Sequence, residues 1–234
     1  MSQPKKPAGR NVRACAAQVV ADVVRNGRSL AELLPAAQQV VADSERALLA
    51  ELCYGSLRFF YQLDAIAAQL LQKPPKEKDY DVHALLLLGL YQLRHMRVTE
   101  HAAVSLTVDA ARALKKDWAG KLLNGVLRNY LRNRAPLDES VVRHHNHPAW
   151  LAQLIVQAWP EQAADIFSAN NGRGGMTLRV NRLQQTVAEY QQRLSAAGIA
   201  SACSAIAQDA LLLQEPVAVS RLPDFSGGAC SVQD

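Results

Sequence analysis

Aromatic residues make up only 6% of this 234-residue chain, so a core must be built from aliphatic side chains. Its four cysteines, Cys15, Cys53, Cys203 and Cys230, stand far apart with no Cys-x-x-Cys pair. That spacing fits neither a zinc site nor a disulfide framework, and points to reduced thiols in a cytoplasmic protein. The N-terminus has no apolar stretch of the kind that directs export, and no apolar run is long enough for a bilayer. Also missing are Gly-x-Ser-x-Gly, a phosphate-binding glycine loop and His-Glu-x-x-His, and no cysteine has a base near it in sequence. On its residues alone the chain reads as a binding module, with no catalytic residue, no metal and no membrane partner.

What it does have is positive charge, unevenly spread. Residues 1–134 hold 20 Lys and Arg against 12 Asp and Glu, whereas residues 135–234 hold 6 against 9. A net +8 on the first part suits a polyanion, nucleic acid foremost, or simply a soluble basic surface. The most apolar stretch, Val82 to Leu93, includes four consecutive leucines, Leu85–Leu88. A helix there has no polar face and must be covered on nearly every side. Gly89 in its middle costs about 1 kcal/mol relative to alanine, which points to a neighbouring helix passing close by.

Taken in order, residues 1–9 have the composition of a disordered basic arm, and Arg10 and Arg13 carry its charge into a first helix. Val12, Ala16, Val19, Val20 and Val23 recur there at helical spacing, with Gly27 as the stop. Ser29-Leu-Ala-Glu32 reads as a capping box for a short helix that Pro35 disrupts or ends. From Ser44 to about Leu71 one long pattern runs through Leu48, Leu52, Phe59 or Phe60, Leu63, Ile66 and Leu70, with Gly55 marking a close contact or a break. Thr99 caps the helix after the leucine run, its buried side drawn from Ala103, Leu106, Ala110 and Leu114. From Trp118 to about Arg132, Leu122, Leu123, Val126, Leu127 and Tyr130 share one side. Lys121, Arg128 and Arg132 fall within about 40° of one another on the other side, together with Gly125.

After Arg134-Ala-Pro136 the pattern changes. Helices are expected from His147-Pro148, with Leu151, Leu154 and Ile155, and from Pro160, with Ala164 and Phe167. Asn170-Asn-Gly-Arg-Gly-Gly175 reads as a loop. Met176 to Asn181 alternates as a strand, and Thr186-Val-Ala-Glu189 is a second capping box whose helix runs to Gly198. Short strands follow near Ala210–Leu213 and Ala229–Gln233. The fold class is therefore mainly α: an all-helical bundle over 10–134, then a small α/β unit over 135–234.

The candidate nucleic-acid contacts are the stripe Lys121, Arg128 and Arg132 with Lys115 and Lys116 upstream, and the arm Lys5, Lys6, Arg10 and Arg13. A solvated helix face and a solubilising tail are the plain alternatives. Arg173, Arg179, Asn181 and Arg182 bring polar groups to a loop and one strand face, either to read single-stranded RNA or to brace a neighbouring domain. His144-His145-Asn146-His147 fits a polar domain junction as well as a metal site, because adjacent histidines do not converge easily on one ion.

Several joined motifs also resemble a known family. Glu51-Leu-Cys-Tyr-Gly-Ser-Leu-Arg58, Gly89-Leu-Tyr-Gln-Leu93, His101-Ala-Ala103 and Gly120-Lys-Leu-Leu-Asn-Gly-Val-Leu-Arg128 resemble the N-terminal region of bacterial small-subunit rRNA cytosine-C5 methyltransferases of the Sun/Fmu, RsmB type. That region looks like the helical antitermination factor NusB. His147-Pro-Ala-Trp-Leu151, Asn170-Asn171, Leu178-Arg-Val-Asn181 and Val232-Gln-Asp234 resemble the same enzymes' linking segment. The resemblance implies a NusB-like bundle and a small α/β linking domain that position small-subunit rRNA, rather than DNA, for a methyltransferase domain using S-adenosylmethionine. In that family one cysteine thiolate adds to C6 of the cytosine and a second assists product release. Their Pro-Cys and Thr-Cys motifs and the glycine-rich donor loop lie beyond the Val-Gln-Asp motif, whereas this sequence stops at Asp234. The four cysteines follow Ala14, Leu52, Ala202 and Ala229, so none matches a catalytic position. The expectation is an RNA-binding portion with no cofactor site of its own. A stand-alone NusB-like antitermination protein and a helical adaptor are the rivals.

Overall fold

A computed structural model describes residues 9–73, 76–141, 145–172 and 174–233. The chain divides into two compact units, one up to Asn171 and the other from Gly172. The expected arm lies outside the described residues apart from Gly9.

The first unit is helical among its described residues: α1 (Val12–Asn26), α2 (Leu30–Val40), α3 (Arg46–Arg58), α4 (Phe60–Leu70), α5 (Tyr80–His95), α6 (Glu100–Ala113), α7 (Ala119–Arg132), α8 (Arg134–Ser140), α9 (Ala149–Ala158) and α10 (Ala163–Asn171). Every residue of α5 from Val82 to Leu93 is buried. Each leucine so covered contributes about 1.5–3 kcal/mol, so the helix is the centre of the core. Gly89 makes the close approach the sequence required. A Cβ there would stand 2.9 Å from both Leu127 methyls of α7 and 3.3 Å from Thr107 Cγ2 of α6. Several polar groups in this core are bonded, whereas Ser56 Oγ and His83 Nδ1 have no partner among the described residues. Gln92 accepts from Arg13 Nε at 2.9 Å and donates to the Leu88 carbonyl at 3.0 Å, while Tyr91 donates to Glu51 at 2.6 Å.

Several expectations need correction. The long pattern from Ser44 is two helices, with the corner at Phe59, whose φ of −100° and ψ of 17° leave helical geometry. That corner is set by a tertiary contact, the Phe59 ring stacked on His95 at 4.0 Å, which periodicity does not register. Gly55, mid-helix in α3, is the close contact of its two expected readings and not the break. Pro35 lies inside α2 and does not end it. The carbonyl it leaves free belongs to Ala31, which is exposed and meets water. Ser29 makes no side-chain cap, and Glu32 pairs with Arg28 at 2.5 Å. On α6 the buried side is Ala103, Val104, Thr107, Ala110 and Ala111, with Leu106 exposed. Small residues there let α6 lie close to α5, and Leu106 falls just outside that arc. Leu122 of α7 and Leu154 of α9 are likewise exposed, and α10 buries Ala163 with Phe167 in place of Ala164. Asn170 and Asn171 form the last turn of α10. Their amides bond His147 and the His145 carbonyl, which holds them helical.

The second unit is a four-stranded antiparallel sheet with α11 (Val187–Ala196) on one face. Its strands are β1 (Met176–Val180), β2 (Ser201–Cys203), β3 (Ala210–Leu213) and β4 (Cys230–Val232), in the order β2-β3-β1-β4. Met176, Leu178 and Val180 point into the core with Leu211, Leu213, Tyr190 and Leu194, as the alternation requires. The Thr186–Glu189 capping box is formed in both directions. Strand β2 was not foreseen. Its three residues lack strand propensity and are extended because they pair with Leu211–Leu213.

Two outcomes follow. A Cβ at Gly55 would fall 1.9 Å from Tyr91 Cζ, so Gly55→Ala should cost about 1–3 kcal/mol or more in urea unfolding. His95 is held down to about 4 by burial and then by Arg94 beside it. Its folded value lies below the ordinary 6.5, so stability is complete above that pH and falls as pH drops toward 4. His95→Phe, which keeps the stack, should flatten that part of the stability profile.

Candidate nucleic-acid interface

Helix α7 carries the clearest surface. Its inner side, Ala119, Leu123, Val126, Leu127 and Tyr130, is buried, and this fixes the rotation of the helix. Lys121, Arg128 and Arg132 consequently face solvent. Arg128 Nε donates to Asn124 Oδ1 at 3.0 Å, one turn back, which steadies the guanidinium without neutralising it. Lys121 and Arg132 have no ion pair among the described residues. The far end of the helix is anchored by Asp138 of α8. It receives the Tyr130 hydroxyl at 2.9 Å and pairs with Arg94 and, at 3.5 Å, with Arg134. Burial, then this bond to Asp138, pushes the Tyr130 hydroxyl up to about 12.

The other expected cations separate by environment. Lys116 Nζ donates to Asp81 at 2.6 Å, Asp79 at 3.0 Å and the Lys78 carbonyl at 2.9 Å. Burial works against the ammonium, but its bonds to Asp81 and Asp79 outweigh this and hold its pKa above the usual lysine value. It ties the α6–α7 turn to the start of α5 and is not a free contact. Arg13 is buried, 7% exposed, bonded to Gln92, and its pKa is lowered by burial. Its helical phase places it beside Ala17 and Val20, inside the apolar arc of α1. Arg10, at the mouth of α1, is exposed. Lys115 is exposed as well, in the left-handed region with φ of 60°. It closes α6: its N–H reaches the Arg112 carbonyl at 2.8 Å, and that of Lys116 reaches Ala111 at 2.9 Å.

In the second unit, Arg179 projects from the face of β1 opposite its core. Asn181 is a brace, its amide donating to the Gly228 carbonyl at 2.9 Å and accepting from the Leu183 N–H at 3.1 Å. Arg182 is paired with Asp209 at 2.8 Å. Lys5, Lys6 and Arg173 lie outside the described residues, as does His144. His145 stacks on Phe167 at 4.1 Å and His147 bonds Asn170 at 3.0 Å, so both serve the α10 junction. Sequence reasoning passed over Trp118, which is exposed just before α7, and the lysines Lys73, Lys76 and Lys78 beside it.

Cys15, Cys53 and Cys230 are buried, and burial drives Cys53 up to about 12. Cys203 is exposed and approaches only Gln191, at 3.8 Å. The acidic groups in the cavities beside α5 and β1, Asp79 and Asp209, are already bonded to Lys116 and Arg182. No helix is long and apolar enough to cross a membrane among the described residues.

Comparison with known proteins covers both units. Residues 10–132 match the NusB family, and residues 147–220 match the ferredoxin-like domain described as Methyltr_RsmF/B-like. The ribosomal RNA small subunit methyltransferase B of Vibrio vulnificus is 46% identical over 228 residues, covering 96% of this chain and 54% of that protein. The enzyme of the same name from Sodalis glossinidius is 43% identical over 227 residues, covering 96% and 52%. The chain thus spans about half the length of the curated relatives it matches. A solved structure titled Crystal Structure of PH0851 superposes with a TM-score of 0.66 at 17% identity, over all of this chain and 54% of that one, and supports the fold alone.

The left-handed lysine gives a direct test. Lys115→Gly should raise stability by about 0.5–1 kcal/mol in thermal unfolding, because glycine adopts that conformation without the Cβ clash.

Proposed function

The chain belongs to the NusB family, and on that premise we propose that its helical unit binds RNA through the outward face of α7. The observation that carries the reading is the exposed row Lys121, Arg128 and Arg132 on a helix whose rotation is fixed by its buried side. Arg10 and Lys115 extend the proposed contacts on this unit, and Arg179 contributes on the other. Lys5, Lys6 and Arg173, outside the described residues, belong to the same proposed set. Because the relatives are named as ribosomal RNA small subunit methyltransferases, the RNA we propose is small-subunit rRNA. In this reading residues 10–134 form the RNA-binding domain and residues 135–234 the linking domain of such an enzyme. The methyl donor, S-adenosylmethionine, and the nucleophilic cysteine belong to the part of the relatives that this chain does not span.

Cations that contact phosphates release counterions, so affinity falls steeply with salt. Binding of a small-subunit rRNA fragment, titrated against salt, should show that fall. Lys121→Ala/Arg128→Ala/Arg132→Ala should make the slope shallower by about two. Affinity that ignores salt, or a slope the triple variant leaves unchanged, would overturn the assignment.

A further inference from the structure

Between the end of α4 and the first turns of α5 and α7 lies a cavity with an apolar floor of Val82, Leu86 and Leu123. Its mouth carries Lys73, Lys76 and Lys78, and Trp118 stands at its edge, 55% exposed. The three lysines are exposed and have no ion pair among the described residues. Asp79, the one carboxylate among its described lining residues, shares Lys116 with Asp81, and the single negative charge the trio keeps is outweighed by the three lysines. A second groove shares Leu71, Lys73 and Leu122 with this cavity and continues past Lys121 to Gly125 and Asn129. Gly125 leaves its floor bare, since a Cβ there would meet no atom within 4 Å.

An apolar slot edged by an indole and ringed by ammonium groups matches a flat base joined to a phosphate. We propose that the cavity takes one unstacked base of single-stranded RNA, with Trp118 stacking on it and Lys73, Lys76 and Lys78 holding the flanking phosphates. The strand then runs along the groove over Gly125, beside Lys121. The inference rests on the RNA-binding reading of α7 and adds to it a site that reads a base and not only the backbone. Stacking on an aromatic side chain is tolerant of sequence, so the slot selects for an unpaired nucleotide before it selects for a particular one.

The test uses the full chain carrying Trp150→Phe/Trp159→Phe, which leaves Trp118 as the sole tryptophan. The probes are a short single-stranded RNA of mixed sequence and an abasic ribose-phosphate strand of the same length. The RNA should quench Trp118 fluorescence and bind roughly 5- to 100-fold more tightly than the abasic strand. Trp118→Ala, in the otherwise native chain, should abolish that preference while leaving the salt slope unchanged. Gly125→Leu should weaken RNA binding without loss of helix, because the position is open and leucine favours a helix more than glycine does. Salt-dependent binding without quenching, with the same preference in Trp118→Ala, would remove the base slot and leave the backbone contacts of α7 standing. Failure of both strands to bind would reject the RNA reading and the slot together.

Discussion

Burial of Leu85–Leu88 on all sides obliges the rest of the helical unit to surround α5. A helix with no face that tolerates water leaves its neighbours little freedom in how they turn. At Gly89, Leu127 of α7 and Thr107 of α6 press against the α5 backbone, so those helices are fixed in rotation as well as in position. The outward row on α7 is a by-product of that packing. Once Leu123, Val126, Leu127 and Tyr130 are committed to the core, Lys121, Arg128 and Arg132 have no other direction to take. The outward placement of that positive row is in this sense derived from leucine packing.

Net charge alone overstates the surface that is free to bind. Of the cations on the basic unit, Arg94 is spent on Asp138, Lys116 on Asp79 and Asp81, and Arg13 on the buried amide of Gln92. Each of these joins two elements and positions α7 or the helices behind it. Among the cations without an ion pair in the described residues, Lys121, Arg128 and Arg132 share one side of α7, and Lys73, Lys76 and Lys78 lie around the start of α5. Partition of like residues into ties and contacts is a property of the folded chain.

Wherever one element determines its own pattern, it could be read from the sequence. The alternation of Met176, Leu178 and Val180, the capping box at Thr186, the glycine stop at Gly27 and the two-sided character of α7 all rest on neighbours in the chain. What escaped depends on contacts distant in sequence: the corner at Phe59 rests on His95, β2 on β3, and the helical state of Asn170 and Asn171 on two histidines. At the site the same division holds. Lys121, Arg128 and Arg132 were legible from helical phase, whereas the roles of Arg13, Lys116 and Asn181 required their partners to be seen. Trp118 was overlooked because an exposed aromatic at a helix start carries no periodic signal; only the cavity beside it gives it meaning.

The order of strands in the second unit bears on how the chain is made. β1 lies at the middle of its sheet, yet β3 and β4, which flank it, are encoded well after it. A ribosome adding about 5–20 residues per second therefore extrudes β1 several seconds before Cys230–Val232 can join it. During that interval Leu178 and Val180 lack their final cover, and one edge of β1 is open to other strands. The acquisition of a closed sheet is thus timed by translation, and a pause before codon 230 would lengthen the exposure while leaving the helical unit, already synthesised, untouched.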